Sequence, residues 1–193
     1  MIVLILPDIS TEDDLLTRAG RGDAEALQDI YTRYYTPIYQ FVRMRTNDRQ
    51  TAEDLTAEVF FKLIRAFRQR SGPRDSLRGW LFRVARHEIY DHYGRGKRFT
   101  ETVLEEWIPM PEDDAPEAQF IRTMHIEDAR QAIRQLTDEQ QEVLILRFGQ
   151  MLSLQETADV MGKKANAIKQ LQLRALHALE RVLSQRSLEE SYD

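Results

Sequence analysis

Residues Asp75–Phe99 read DSLRGWLFRVARHEIYDHYGRGKRF, and the two sides of this stretch set the organisation of the whole chain. Ser76 is a helix N-cap, and a helix of about 3.6 residues per turn started there lines up Leu77, Trp80, Leu81, Val84 and Ala85 as a buried stripe. The opposite arc is basic and aromatic. Arg78, Arg83, Arg86, His87, Tyr90 and Tyr93 share it, and just past a glycine stop the chain continues into Arg95, Gly96, Lys97 and Arg98. Arginines among exposed tyrosines suit unpaired nucleic acid, with guanidinium groups on phosphates and rings stacked on bases. A solvated, salt-bridged face is the plainer alternative.

On the N-terminal side three helices are expected. Ser10 to Asp13 caps a short one with Leu15 and Leu16 inward, ended by Gly20 and Gly22. Asp23 starts a long one whose apolar set is Leu27, Ile30, Tyr31, Tyr34, Ile38, Phe41 and Val42; the period resumes beyond Pro37, so the proline kinks the helix without ending it. After Asn47 and Asp48 a third turns Ala52, Leu55, Val59, Leu63 and Phe67 inward. Asp54, Glu58, Phe61, Lys62 and Arg65 lie on or near its outer face, and a Phe61 exposed among charges suggests a protein contact. The loop QRSGPRDS, Gln69–Ser76, then leads to the basic helix.

On the C-terminal side periodicity lapses from Thr100 to about Ala118, where Pro109, Pro111 and Pro116 fall among Glu105, Glu106, Glu112, Asp113, Asp114 and Glu117. This reads as a flexible acidic linker with Trp107 and Ile108 as apolar anchors. A second domain follows, opening with a helix from about Glu117 to Gln135. Thr137 with Gln140, and Ser153 with Glu156, are two capping boxes; the first starts a helix holding Val143, Leu144 and Phe148, the second a short helix with Leu154, Ala158 and Met161 that stops at Gly162. A long helix then turns Ile168, Leu171, Ala175, Leu179 and Val182 inward. Its start bears Lys163, Lys164, Asn166, Lys169, Gln170 and Arg174, the pattern of a helix-turn-helix with its second helix in a major groove. Leu173, off the apolar stripe, is placed to meet a thymine methyl.

The net charge of −5 over 193 residues hides this division. Residues 1–39 carry about −4, 40–99 about +7, 100–130 about −7, 131–186 about +2 and the tail about −3. With no cysteine, disulfides and thiolate metal sites are excluded. The opening MIVLIL lacks a preceding positive charge and is too short to span a bilayer, so a cytoplasmic protein without membrane insertion is expected. His87 and His92 diverge around their helix and no phosphate-cradling glycine loop is present, so neither an enzyme, a metal nor a cofactor is expected.

Three segments in order resemble the extracytoplasmic-function (ECF) group of bacterial RNA polymerase sigma factors. AEDLTAEVFFKLIRAF, Ala52–Phe67, resembles the family's polymerase-binding segment, and GWLFRVARHEIYDHYGRGKR, Gly79–Arg98, its promoter-melting helix. LTDEQQEVLILRFGQMLSLQETADVMGKKANAIKQLQLRAL, Leu136–Leu176, resembles its helix-turn-helix. The resemblance implies an all-α protein of two small helical domains joined by the acidic linker: an apolar extension (1–9), a region 2 bundle (10–99), the linker (100–118), a region 4 helix-turn-helix domain (119–186) and a tail (187–193).

It implies as partners core RNA polymerase, promoter DNA and a controlling anti-sigma factor. Asp54, Glu58, Phe61, Lys62 and Arg65 would face the clamp helices of the largest subunit, and the second domain the flap of the second largest. Arg70, Arg74, Ser76 and Arg78, with Arg83, Arg86, His87 and Tyr90 and the end Arg95, Lys97 and Arg98, would hold the melted minus-ten element. Lys163, Lys164, Asn166, Lys169, Gln170, Leu173 and Arg174 would read the minus-thirty-five element. The linker would imitate the negative backbone of RNA in a basic polymerase channel.

His87 stands where many members have asparagine, Lys163 and Lys164 make the turn unusually basic, and Leu171 replaces a frequent basic residue. Two other classes fit parts of the chain: a repressor or activator using only the helix-turn-helix, and a helical adaptor binding proteins alone. The basic, aromatic helix speaks against the first, since a repressor has no need to hold single strands; transcription in vitro with purified core polymerase separates all three.

Overall fold

The computed structural model describes residues 9–46, 48–94 and 131–189, which form helices and turns with no strand among them. The acidic linker, the apolar N-terminus, the first part of the second domain's opening helix and Arg95, Lys97 and Arg98 lie outside the described residues. The first domain contains α1 (Ile9–Gly20), α2 (Ala24–Arg43), α3 (Arg49–Arg68) and α4 (Leu77–Tyr93). Side-chain caps set three of these starts: Asp23 accepts from the Glu25 and Ala26 N–H groups, Asp48 from Thr51, and Ser76 from Gly79. Pro37 lies inside α2, which runs on to Arg43.

The core of this domain is the meeting of α2, α3 and α4. Ile30, Tyr34, Ile38, Phe41, Leu63, Leu77, Leu81, Phe82 and Ile89 are fully buried, each contributing about 1.5–3 kcal/mol by leaving water. Phe41 and Phe82 meet edge to face at 5.2 Å. Tyr31, expected in the α2 core stripe, is instead 45% exposed and leans on Phe60 and Tyr35. Three helices cannot cover the whole circumference of a fourth, and Tyr31 falls at the edge of what α3 covers.

In the second domain a helical turn at 131–134 precedes α5 (Asp138–Leu144), α6 (Leu154–Met161) and α7 (Ala165–Glu189). Both capping boxes are formed, with Thr137 and Ser153 each exchanging bonds with the residue three positions on. The end of α5 departs from expectation. Ile145–Gly149 form a π-helical turn, whose wider coil advances the inward face: Ile145 and Leu146 are buried and Phe148, expected inside, is 51% exposed.

Gly162 ends α6 in the left-handed region at φ +64, so the chain reverses toward α7 with no Cβ penalty. Gly162→Ala is therefore expected to destabilise this domain by about 1–2 kcal/mol in urea unfolding, although open space surrounds the site.

The two domains pack against each other. α4 lies along α6, and the buried apolar side chains of both domains form one contiguous cluster. Gly79 lies at this contact, where a Cβ would stand 3.4 Å from Glu156 Cγ, an ordinary packing distance, and 3.1 Å from Ser76 Oγ.

Candidate nucleic-acid interface

The basic arc of α4 divides into free and occupied halves. Arg83 and His87 are exposed, as are Arg70 and Arg74 in the loop before the helix. That loop bends tightly: Arg70 adopts φ +56, and a Cβ on Gly72 would lie 2.7 Å from the Phe67 ring beneath it. Pro73, Arg74, Ser76, Trp80 and Arg83 line one side of a cleft of about 90 Å³ whose other side is Glu156 and Asp159 of α6.

Arg78 and Arg86, expected to stand free, do not. Arg78 donates from its terminal nitrogen to both Glu156 oxygens at 2.9 and 3.1 Å, and the Ser76 hydroxyl donates to the same carboxylate at 2.7 Å. Arg86 donates to Glu142 at 2.8 Å while its guanidinium lies 4.4 Å from the centre of the Tyr90 ring. Arg45, just beyond α2, reaches Glu142 at 3.2 Å and Tyr90 Oη at 3.4 Å. The sequence reading missed Arg45 and Glu142 altogether; the only available signal was an acid on the apolar side of α5.

Burial alone would raise the Glu156 carboxyl, but the Ser153 N–H, the Ser76 hydroxyl and the Arg78 guanidinium outweigh it and bring it from 4.5 down to about 2. A carboxylate lowered by folding stabilises fully above its unfolded value and loses that contribution as pH falls through its folded one. The stability difference between the parent chain and Glu156→Gln, at most about 3 kcal/mol, is thus expected in full at pH 6 and to fade between pH 4.5 and 2 in urea titrations.

The other two candidate faces are open. On α7, Lys164, Asn166, Lys169, Gln170, Leu173 and Arg174 are exposed, while Lys163 bonds Glu139 at 2.8 Å; Leu171 is buried, as its place on the apolar stripe requires. On α3, Asp54, Glu58, Arg65 and a 65% exposed Phe61 face outward, and Lys62 pairs with Glu88 of α4. Beside them runs an aromatic row, Tyr31, Tyr35, Tyr39 and Phe60, with Tyr35 and Tyr39 stacked at 6.1 Å.

Residues 30–99 match the family model for Sigma-70 region 2, and residues 132–181 that for Sigma-70, region 4. The chain is 34% identical over 140 residues to the RNA polymerase sigma factor YlaC of Bacillus subtilis, covering 72% of this chain and 80% of YlaC. It is also 34% identical over 171 residues to the ECF RNA polymerase sigma factor BldN of Streptomyces coelicolor, covering 88% of this chain and 65% of BldN. The chain belongs to the ECF sigma factors. This ECF sigma factor also shares its fold with the sigma factor RpoE of Bartonella quintana, solved in complex with the anti-sigma factor NepR: TM-score 0.58, 21% identity, 81% of this chain and 96% of that one. As a sigma factor it is a transcription initiation factor. No helix among the described residues is long and apolar enough to cross a membrane.

Proposed function

We propose that this ECF sigma factor binds core RNA polymerase, brings it to promoters and helps open the minus-ten element, acting in the cytoplasm with all catalysis left to the polymerase. In this reading residues 10–99 bind polymerase and melt DNA, residues 119–186 read the minus-thirty-five element, and the segment 100–118 connects them. The observation that carries it is the placement of three open surfaces on two family-matched domains: Asp54, Glu58, Phe61 and Arg65 on α3, Arg83 and His87 beside the loop of Arg70 and Arg74, and the start of α7. Two weak contacts to one enzyme, joined by a tether, raise the effective concentration of each domain at its DNA element.

The test is transcription in vitro with purified core polymerase on promoter fragments selected by the reconstituted holoenzyme. Start-site-specific transcripts are expected only when the chain is added; their absence overturns the proposal. Control by an anti-sigma factor belongs to the same reading, supported by the exposed Phe61 and by the RpoE–NepR complex. Phe61→Ala removes an exposed aromatic anchor and is expected to weaken polymerase binding by about 1–3 kcal/mol, roughly 5- to 150-fold in a fluorescence titration, with little change in folding stability.

A further inference from the structure

Along α1 the buried positions are Glu12, Leu15, Leu16 and Ala19, the three-and-four spacing of a helix face turned to the core. A carboxylate at such a position loses its water and needs donors in its place. Glu12 has two. Tyr34 of α2 donates its hydroxyl to Glu12 Oε2 at 3.2 Å, and the backbone N–H of Arg78 donates to Oε1 at 3.0 Å. Arg78 is the second residue of α4, whose first N–H groups have no carbonyl one turn back to bond. Ser76 takes the Gly79 N–H at 2.9 Å, and Glu12 takes the Arg78 N–H from 66 residues away. The start of α4 is thus capped twice, once by its own chain and once by α1, and the second cap puts a negative charge where a helix favours one.

This cap holds more than a helix end. α4 continues from the loop of Arg70 and Arg74, and its Trp80 and Arg83 share a cleft with Arg74. Behind the loop, Leu16, Gly20 and Arg21 line a cavity of about 570 Å³ together with Arg70, Pro73 and Arg74. The loop gains little packing support from the end of α1, so its place depends on where α4 begins. Glu12 lies outside residues 30–99, the span that matches the region 2 model. We propose that Glu12 is a positioning residue for promoter opening: by bonding the Arg78 N–H it fixes the start of α4, and so holds Arg74 and Arg83 at the spacing a melted strand requires. This rests on the reading of α4 and its loop as the strand-holding surface. Glu12 itself makes no contact with the strand; it acts through the backbone of Arg78. What it must supply is an acceptor rather than a charge, since an amide oxygen takes the same bond while its NH2 turns to the Tyr34 hydroxyl.

The test uses holoenzyme reconstituted from the full chain and core polymerase on a selected promoter fragment. Polymerase binding is read by fluorescence titration, total promoter binding by gel shift and melted thymines by permanganate. Glu12→Ala is expected to lower melting about tenfold, the scale on which a small misplacement acts, while both binding readings stay within about twofold of the parent, because the bonds of Glu12 reach neither α3 nor α7. Glu12→Gln keeps the acceptor and is expected to restore melting to within about twofold of the parent. Equal losses in all three readings for Glu12→Ala mean a general loss of folded protein and overturn the proposal, as does melting at the parent level. Failure of Glu12→Gln to restore melting overturns it too, since the acceptor is then not what matters. Arg83→Ala is measured alongside. If Arg83→Ala leaves melting intact, the reading of α4 falls and the proposal with it; if Arg83→Ala impairs melting and Glu12→Ala does not, the positioning role alone is overturned. If circular dichroism shows Glu12→Ala unfolded, Glu12→Asp takes its place. Its carboxylate stands one methylene short of the Arg78 N–H, so melting must again fall selectively, and melting at the parent level overturns the proposal.

Discussion

Phe82→Ala is expected to remove about 3–5 kcal/mol from the folding free energy, the range for deleting a phenyl ring from a packed core. Phe82 is 1% exposed and supports Phe41 edge to face, joining α4 to α2 at the centre of the first domain. A domain of this size has about 5–15 kcal/mol in total, so the variant should sit near its unfolding midpoint at modest urea. The midpoint from urea titration, followed by helical circular dichroism, checks this. A loss below about 1 kcal/mol would mean that α4 is not anchored as the structure shows. Because α4 also presents the basic arc, the variant should lose strand binding together with its fold.

Arg83→Ala is expected to show the largest functional effect without a structural one. Arg83 is exposed and faces the cleft beside Arg74 and Trp80. A single contact that captures an unstacked base is worth about 1–3 kcal/mol, which corresponds to a loss of roughly 5- to 150-fold. The loss should fall on open-complex formation, since a base becomes available to Arg83 only after the strands part. Permanganate footprinting reports melted thymines and gel shift reports total promoter binding. Equal loss in both would remove Arg83 from strand capture. Urea stability should stay within about 0.5 kcal/mol of the parent, as expected of an exposed side chain.

Most of the helical framework was legible from local signals. Caps at Asp23, Asp48, Ser76, Thr137 and Ser153 and the stop at Gly162 are short-range chemistry, and each occurs where its residues indicate. The misplaced residues share a different cause. Phe148 was assigned by a regular period that the π-helical turn breaks, and nothing in LILRFG announces a wider coil. Tyr31 was placed on the apolar stripe, but the stripe is wider than the surface covering it.

On α4 the stripe of Leu77, Trp80, Leu81, Val84 and Ala85 was too narrow. Phe82 and Ile89 are buried as well, while Trp80 is half-buried at the cleft, because the helix is covered from two sides. The second covering is the other domain, and its contacts link Arg78 to Glu156 and Arg86 to Glu142 across 78 and 56 residues of sequence. No periodicity within either segment encodes such a pairing. The candidate nucleic-acid face was therefore readable in composition, with Arg83 and His87 exposed, and unreadable in which of its arginines stand free.

Glu156 is gripped twice, and the order of the two grips matters. The Ser153 N–H donates to one of its oxygens at 2.7 Å as part of the start of α6, before anything from the other domain is involved. A glutamate on an open surface surrenders about 1.5–2 kcal/mol of rotamer entropy when it is immobilised. Here much of that freedom is already gone once α6 has formed, so the carboxylate meets Arg78 prearranged and the two domains come together with less disorder to lose.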